Sequence, residues 1–127
     1  MSIAAESEQQ ATQNASAVLQ WVATQNLGSP AELTLPPAFR DTSQDGRVQV
    51  AVLPDSRICL LLKTNLGYKG NFDGVVVCDV PLHPTEISRS GVPSREYITL
   101  PGQGIFEELY IRRRINDRTF VVYFDLN

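Results

Sequence analysis

Histidine, cysteine and tryptophan are scarce in this chain, and basic residues are missing from its first 39 positions. One histidine, His83, and two well-separated cysteines, Cys59 and Cys78, do not make the closely spaced ligand pairs of a zinc site. No acidic cluster has calcium-loop spacing. Gly102 and Gly104 fall in a turn between expected strands, with no following helix whose N-terminus could receive phosphate. No metal or cofactor is therefore expected. Met1 to Phe39 carries Glu6, Glu8 and Glu32 against no cation, while the rest of the chain balances 11 basic with 11 acidic residues. The net charge of −3 lacks the basic surplus that phosphate neutralisation needs, which argues against nucleic acid as a partner. The amino terminus has neither the basic segment nor the apolar run of a signal peptide, and no stretch approaches a membrane span. The expectation is a cytoplasmic protein without membrane contact, unless it is exported without a cleaved signal.

Catalytic inventory is thin as well. Asp79, His83 and Ser88 or Ser90 lie close in sequence, but triads are defined by geometry and not by proximity along the chain. Glu107 and Glu108 are adjacent and would point to opposite faces of a strand. The chain is not expected to be an enzyme.

What is present is a pattern for one domain over residues 1–127, with 43% hydrophobic and 20% charged residues. Ser7 and Gln10 have capping-box spacing, and Ala11, Ala15, Val18 and Val22 recur at three and four residues. They predict an amphipathic helix ending near Gly28, with Trp21 at the edge of its apolar stripe. Short alternating runs follow at Glu32–Leu35, Arg47–Leu53, Ile58–Thr64 and Phe72–Val80, separated by proline- and glycine-bearing turns. Leu60, Leu61 and Leu62 in succession predict a strand covered on both faces. A turn centred near Tyr68-Lys69 would place Cys59 opposite Cys78 as two reduced, buried thiols. Residues 81–94, with Pro81, Pro84, Pro93 and Gly91, read as a long loop. Arg95–Leu100 reads as a further strand.

The strongest signal is Glu107 to Leu126, where Leu109, Ile111, Phe120, Val122, Phe124 and Leu126 repeat at every second position. A hairpin turning at Asn116-Asp117 pairs Ile111 with Val122 and Leu109 with Phe124, so both apolar sets share one side. The other side then carries Tyr110 opposite Tyr123 and Arg112 opposite Val121, together with Arg114. Arg113 falls on the apolar phase opposite Phe120.

The predicted architecture is α+β: one amino-terminal helix packed on a curled, mainly antiparallel meander sheet of six or seven strands. That outline is similar to helix-plus-meander folds of the cystatin and nuclear-transport-factor sort, in architecture alone. Tyrosine and arginine dominate many protein interfaces, so Tyr110, Arg112, Arg114 and Tyr123 are the candidate surface of a non-enzymatic protein-binding or adaptor domain. Two other readings remain open. One is a small-ligand pocket or modest enzyme between helix and sheet, lined by Trp21, Cys59, Cys78 and His83; the other is a self-assembling homodimer.

Overall fold

The computed structural model describes residues 3–25, 31–67, 70–91 and 94–125, with side chains from residue 8 onward. Helix α1 spans Ile3–Ala23 and is followed by eight strands. These are β1 (Ala31–Thr34), β2 (Arg47–Val52), β3 (Ile58–Leu66), β4 (Phe72–Cys78), β5 (Ile87–Ser90), β6 (Arg95–Ile98), β7 (Leu109–Asn116) and β8 (Thr119–Phe124). The α+β class and the single helix on an antiparallel sheet agree with the sequence pattern, with eight strands instead of six or seven. The additional strand is β5, inside the stretch expected to be a loop. Its sequence, Ile-Ser-Arg-Ser, has no apolar alternation, and its order comes from pairing Ile87 with Ile98 and Ser90 with Arg95. The helix also starts ahead of Ser7, which therefore does not cap it. The helix end expected at Gly28, the turn at 68–69 and Leu126 lie outside the described residues.

Every strand pairing is antiparallel, in the order β1-β2-β3-β4-β8-β7-β6-β5. Two four-stranded meanders are thus joined through their last strands, β4 and β8. The sheet has a core on each face. On the outer face Ala11, Ala15, Val18 and Val22 of α1 bury against Leu60, Leu62, Val75 and Val77, with Trp21 half-buried at the margin. On the inner face Ala51 of β2 and Ile98 of β6 belong to one cluster with Leu61, Val76, Phe106, Phe120 and Val122. Strands from both ends of the sheet share this cluster, so the sheet curls around it. Leu60, Leu61 and Leu62 are fully buried, alternating between the two cores as expected for a strand covered on both sides.

Close packing leaves little room at Gly74, whose added Cβ would sit 2.8 Å from the Leu62 carbonyl oxygen and 2.8 Å from Leu61 Cδ1. The carbonyl belongs to the adjoining strand and cannot swing aside. Gly74→Ala should therefore destabilise the fold by about 1–3 kcal/mol, the usual cost of overpacking. Urea unfolding measures it, and an unchanged midpoint would show that β3 and β4 can move apart freely.

Candidate functional site: the tyrosine–arginine face

Helix α1 covers the outer face over β3 and β4 and reaches Arg113 of β7 through Glu8, whereas farther along the outer face of β8, β7 and β6 the side chains are only partly covered. Cross-strand register sets three tyrosines in a row there: Tyr97 opposite Tyr110, and Tyr110 opposite Tyr123. The Tyr110 and Tyr123 rings are stacked with centroids 5.3 Å apart, and Tyr97 meets Tyr110 edge-on at 5.9 Å. Paired aromatics in these arrangements hold one another in place beyond what their buried area provides. All three are half-buried, leaving ring surface open to solvent.

Arg112 lays its guanidinium 4.5 Å from the Tyr123 ring centroid and donates from Nε and Nη2 to Asp73 Oδ1, at 3.0 and 2.8 Å. Asp73 lies directly opposite Tyr123 on β4, so the carboxylate reaches Arg112 across the tyrosine. Arg95 donates to the Tyr123 hydroxyl at 3.4 Å and, among the described residues, has no carboxylate partner. The Tyr110 hydroxyl donates to Glu108 Oε1 at 2.9 Å, and this bond to a carboxylate holds the phenol above its ordinary pKa. A polar cavity of about 190 Å³ beside the row is lined by Asp73, Arg112, Tyr123, Asn65 and Asp125.

Of the four residues expected to share this surface, Tyr110, Arg112 and Tyr123 do so and Arg114 does not. The hairpin turns at Asp117-Arg118, one residue later than expected, and β7 absorbs the difference in two irregularities, between Ile111 and Arg113 and between Arg114 and Asn116. A bulge places two residues opposite one and reverses the alternation beyond it. Arg113, not Arg112, therefore opposes Val121, and it joins Glu8 of α1 in an ion pair. Arg114 opposes Phe120 and turns to the inner side, with its guanidinium 6.0 Å from that ring and 2.8 Å from Glu96, which Arg89 also approaches at 3.4 Å. Val121 is buried, not part of an exposed face. Tyr97 and Arg95 were missed because they join the row only through β6–β7 pairing, and the one available signal was Tyr97 inside an expected strand.

The other candidates do not converge. Trp21 packs on the outer core, whereas Cys59 and Cys78 belong to the inner one, with the sheet between them. His83 is exposed at the head of a short 3₁₀ turn, and Asp79 Oδ1 accepts the Ile58 backbone N–H at 3.0 Å. No group of three metal-ligating side chains comes together among the described residues. Among the described residues no helix is long and apolar enough to cross a membrane. A second cavity, of about 370 Å³, lies where the β2–β3 connection meets the start of β5, between Leu53, Pro54, Leu100 and Pro101 with Arg57 and Glu86 at its polar end.

Fold and face together define an α+β domain with an aromatic and cationic surface. No protein-family model matches the chain, and neither a curated protein nor a solved structure does.

Proposed function

We propose that this domain is a non-enzymatic protein-binding module, and that its contact surface is the Tyr97–Tyr110–Tyr123 row flanked by Arg112 and Arg95. The observation that carries the reading is the continuous row of three rings, two stacked and the third edge-on, with Tyr123 clamped by Arg112 and Asp73, on a part of the outer face where all three rings stay partly exposed. Interface hot spots are most often tyrosine, tryptophan and arginine, because each offers a large, nearly rigid apolar area with directed hydrogen-bonding groups. Here the rigidity is supplied in advance: each ring is held by a neighbour, so little side-chain freedom is lost on association. A second copy of this chain is one partner such a face can accept.

The test is affinity capture from a lysate of the source organism with three folded forms: wild type, Tyr110→Ala/Arg112→Glu, and Arg114→Glu. A protein retained by wild type and Arg114→Glu but lost with the double variant supports the face, with affinity expected to fall at least tenfold, about 1.4 kcal/mol or more. If the double variant and wild type retain the same proteins equally, the face is not the contact surface.

A further inference from the structure

We propose that Cys59 and Cys78 form a disulfide site built into the sheet, at which a small-molecule disulfide oxidises the folded chain and ties β3 to β4. The two residues are direct cross-strand partners. At the adjoining pair the Asp79 backbone N–H donates to the Ile58 carbonyl at 3.0 Å, which makes Ile58 and Asp79 a hydrogen-bonded pair of the ladder. Alternation then makes Cys59 and Cys78 a non-hydrogen-bonded pair, and the Cys78 N–H accordingly goes the other way, to the Arg118 carbonyl at 2.9 Å. Non-hydrogen-bonded partners have the closest backbones in an antiparallel pair, with Cα atoms about 4.5 Å apart. That separation falls within the roughly 4.4–6.8 Å that disulfides span. Both side chains point into the inner core, and the Cys59 thiol lies 2.9 Å from Cys78 Sγ.

The thiols are free and almost wholly covered, at 1% and 2% exposure. The thiol–thiol hydrogen bond and burial hold the Cys78 thiol far above its ordinary pKa, so the closed sheet presents no Cys78 thiolate. Access comes instead from the end of the ladder, since Ile58 is the first residue of β3 and Cys78 the last of β4. Fraying of that end uncovers both sulfurs without disrupting the middle of the sheet. The exchange then proceeds in two steps. One cysteine thiolate attacks a sulfur of the small disulfide, forming a mixed disulfide and releasing one small thiolate. The second cysteine thiolate attacks the protein sulfur of that mixed disulfide, closing the Cys59–Cys78 bond and releasing the other small thiolate. The cysteines lose two electrons and two protons, which the two released thiols carry away, and a small dithiol reverses the reaction. Closing the chain between residues 59 and 78 restricts the unfolded state, so the oxidised form should unfold at higher urea. The site lies on the opposite face of the sheet from the tyrosine row, and its test is independent of the binding reading.

The experiment incubates the native protein with excess glutathione disulfide, quenches with acid, alkylates in denaturant and measures intact mass. Expected are the loss of both alkylation sites, no retained glutathione, a raised urea midpoint, and return of both sites after dithiothreitol. The proposal is overturned if the native protein keeps both alkylatable thiols while a urea-unfolded sample oxidises. It is equally overturned if a glutathione adduct accumulates without resolving to the internal disulfide.

Discussion

Phe120→Ala should lower stability by about 3–5 kcal/mol, the range for removing a fully enclosed aromatic side chain from a close-packed core. Phe120 is 1% exposed and belongs to the inner cluster that strands from both ends of the sheet complete. A cavity left there cannot collapse easily, because the walls around it are ladder-bonded strands. Phe124, four residues along on the same face, had looked from its position in the alternating run like an equal core residue. It is only half-buried, however, stacked on Phe72 with centroids 5.4 Å apart at the margin of the inner cluster. Its truncation should cost roughly 1–2 kcal/mol, in proportion to the smaller apolar area taken from water. Tyr123→Ala, on the outer face, should cost least of the three. Urea unfolding of the three variants gives the ordering directly, and a largest loss at Tyr123 would mean that the two faces of β8 have been exchanged.

The hairpin also shows what alternation can and cannot convey. Leu109, Ile111, Phe120, Val122 and Phe124 all face the inner core, and Ile111 opposes Val122 as the apolar pattern requires. The error lies between those anchors. Asn116 opens the turn by accepting the Arg118 N–H on its side-chain oxygen at 2.9 Å, so the loop residues are Asp117 and Arg118. The displaced register is recovered by leaving Arg112 and Ile115 without opposite partners. Nothing in a run of three arginines marks where an extra residue enters, since all three have the same polarity in either phase. The tyrosine row was legible as far as Tyr110 and Tyr123, which share one hairpin, whereas Tyr97 depends on a pairing between separate hairpins. Strand β5 was illegible for a related reason. Its inclusion depends on Ile87, on backbone pairing to β6 and on the Arg57–Glu86 ion pair just ahead of it, none of which produces a periodic signal.

Removing the Arg57 side chain should produce a pH-dependent loss of stability, largest near neutrality. Arg57 stands one residue before β3, and its guanidinium donates from Nη1 and Nη2 to both oxygens of Glu86, each at 2.7 Å. Its Nε reaches Asp55 Oδ2, also at 2.7 Å. Arg57 and Glu86 are 13% and 14% exposed, and they bridge the turn before β3 to the residue before β5, the far edge of the curled sheet. The bidentate bond to Arg57 holds the Glu86 carboxyl below its ordinary pKa, against the opposing effect of burial, and Arg57 likewise lowers Asp55. A carboxylate with a depressed folded-state pKa adds stability that is fully present above its unfolded value, about 4.3 for glutamate, and is lost as pH falls through the folded value. Arg57→Met leaves the largely covered Glu86 carboxylate without its cation, while Asp55 stays in solvent, and at pH 7 it should cost about 2–4 kcal/mol, somewhat below the range for breaking a fully buried pair. At pH 3 Glu86 and Asp55 in the variant are protonated, the uncompensated charge is gone, and the gap to wild type should shrink to less than about 1 kcal/mol. Urea midpoints of both proteins across that interval provide the measurement. A gap that stays constant would show that the loss does not come from the carboxylate charges, and that the charge triad does not hold the two ends of the sheet together.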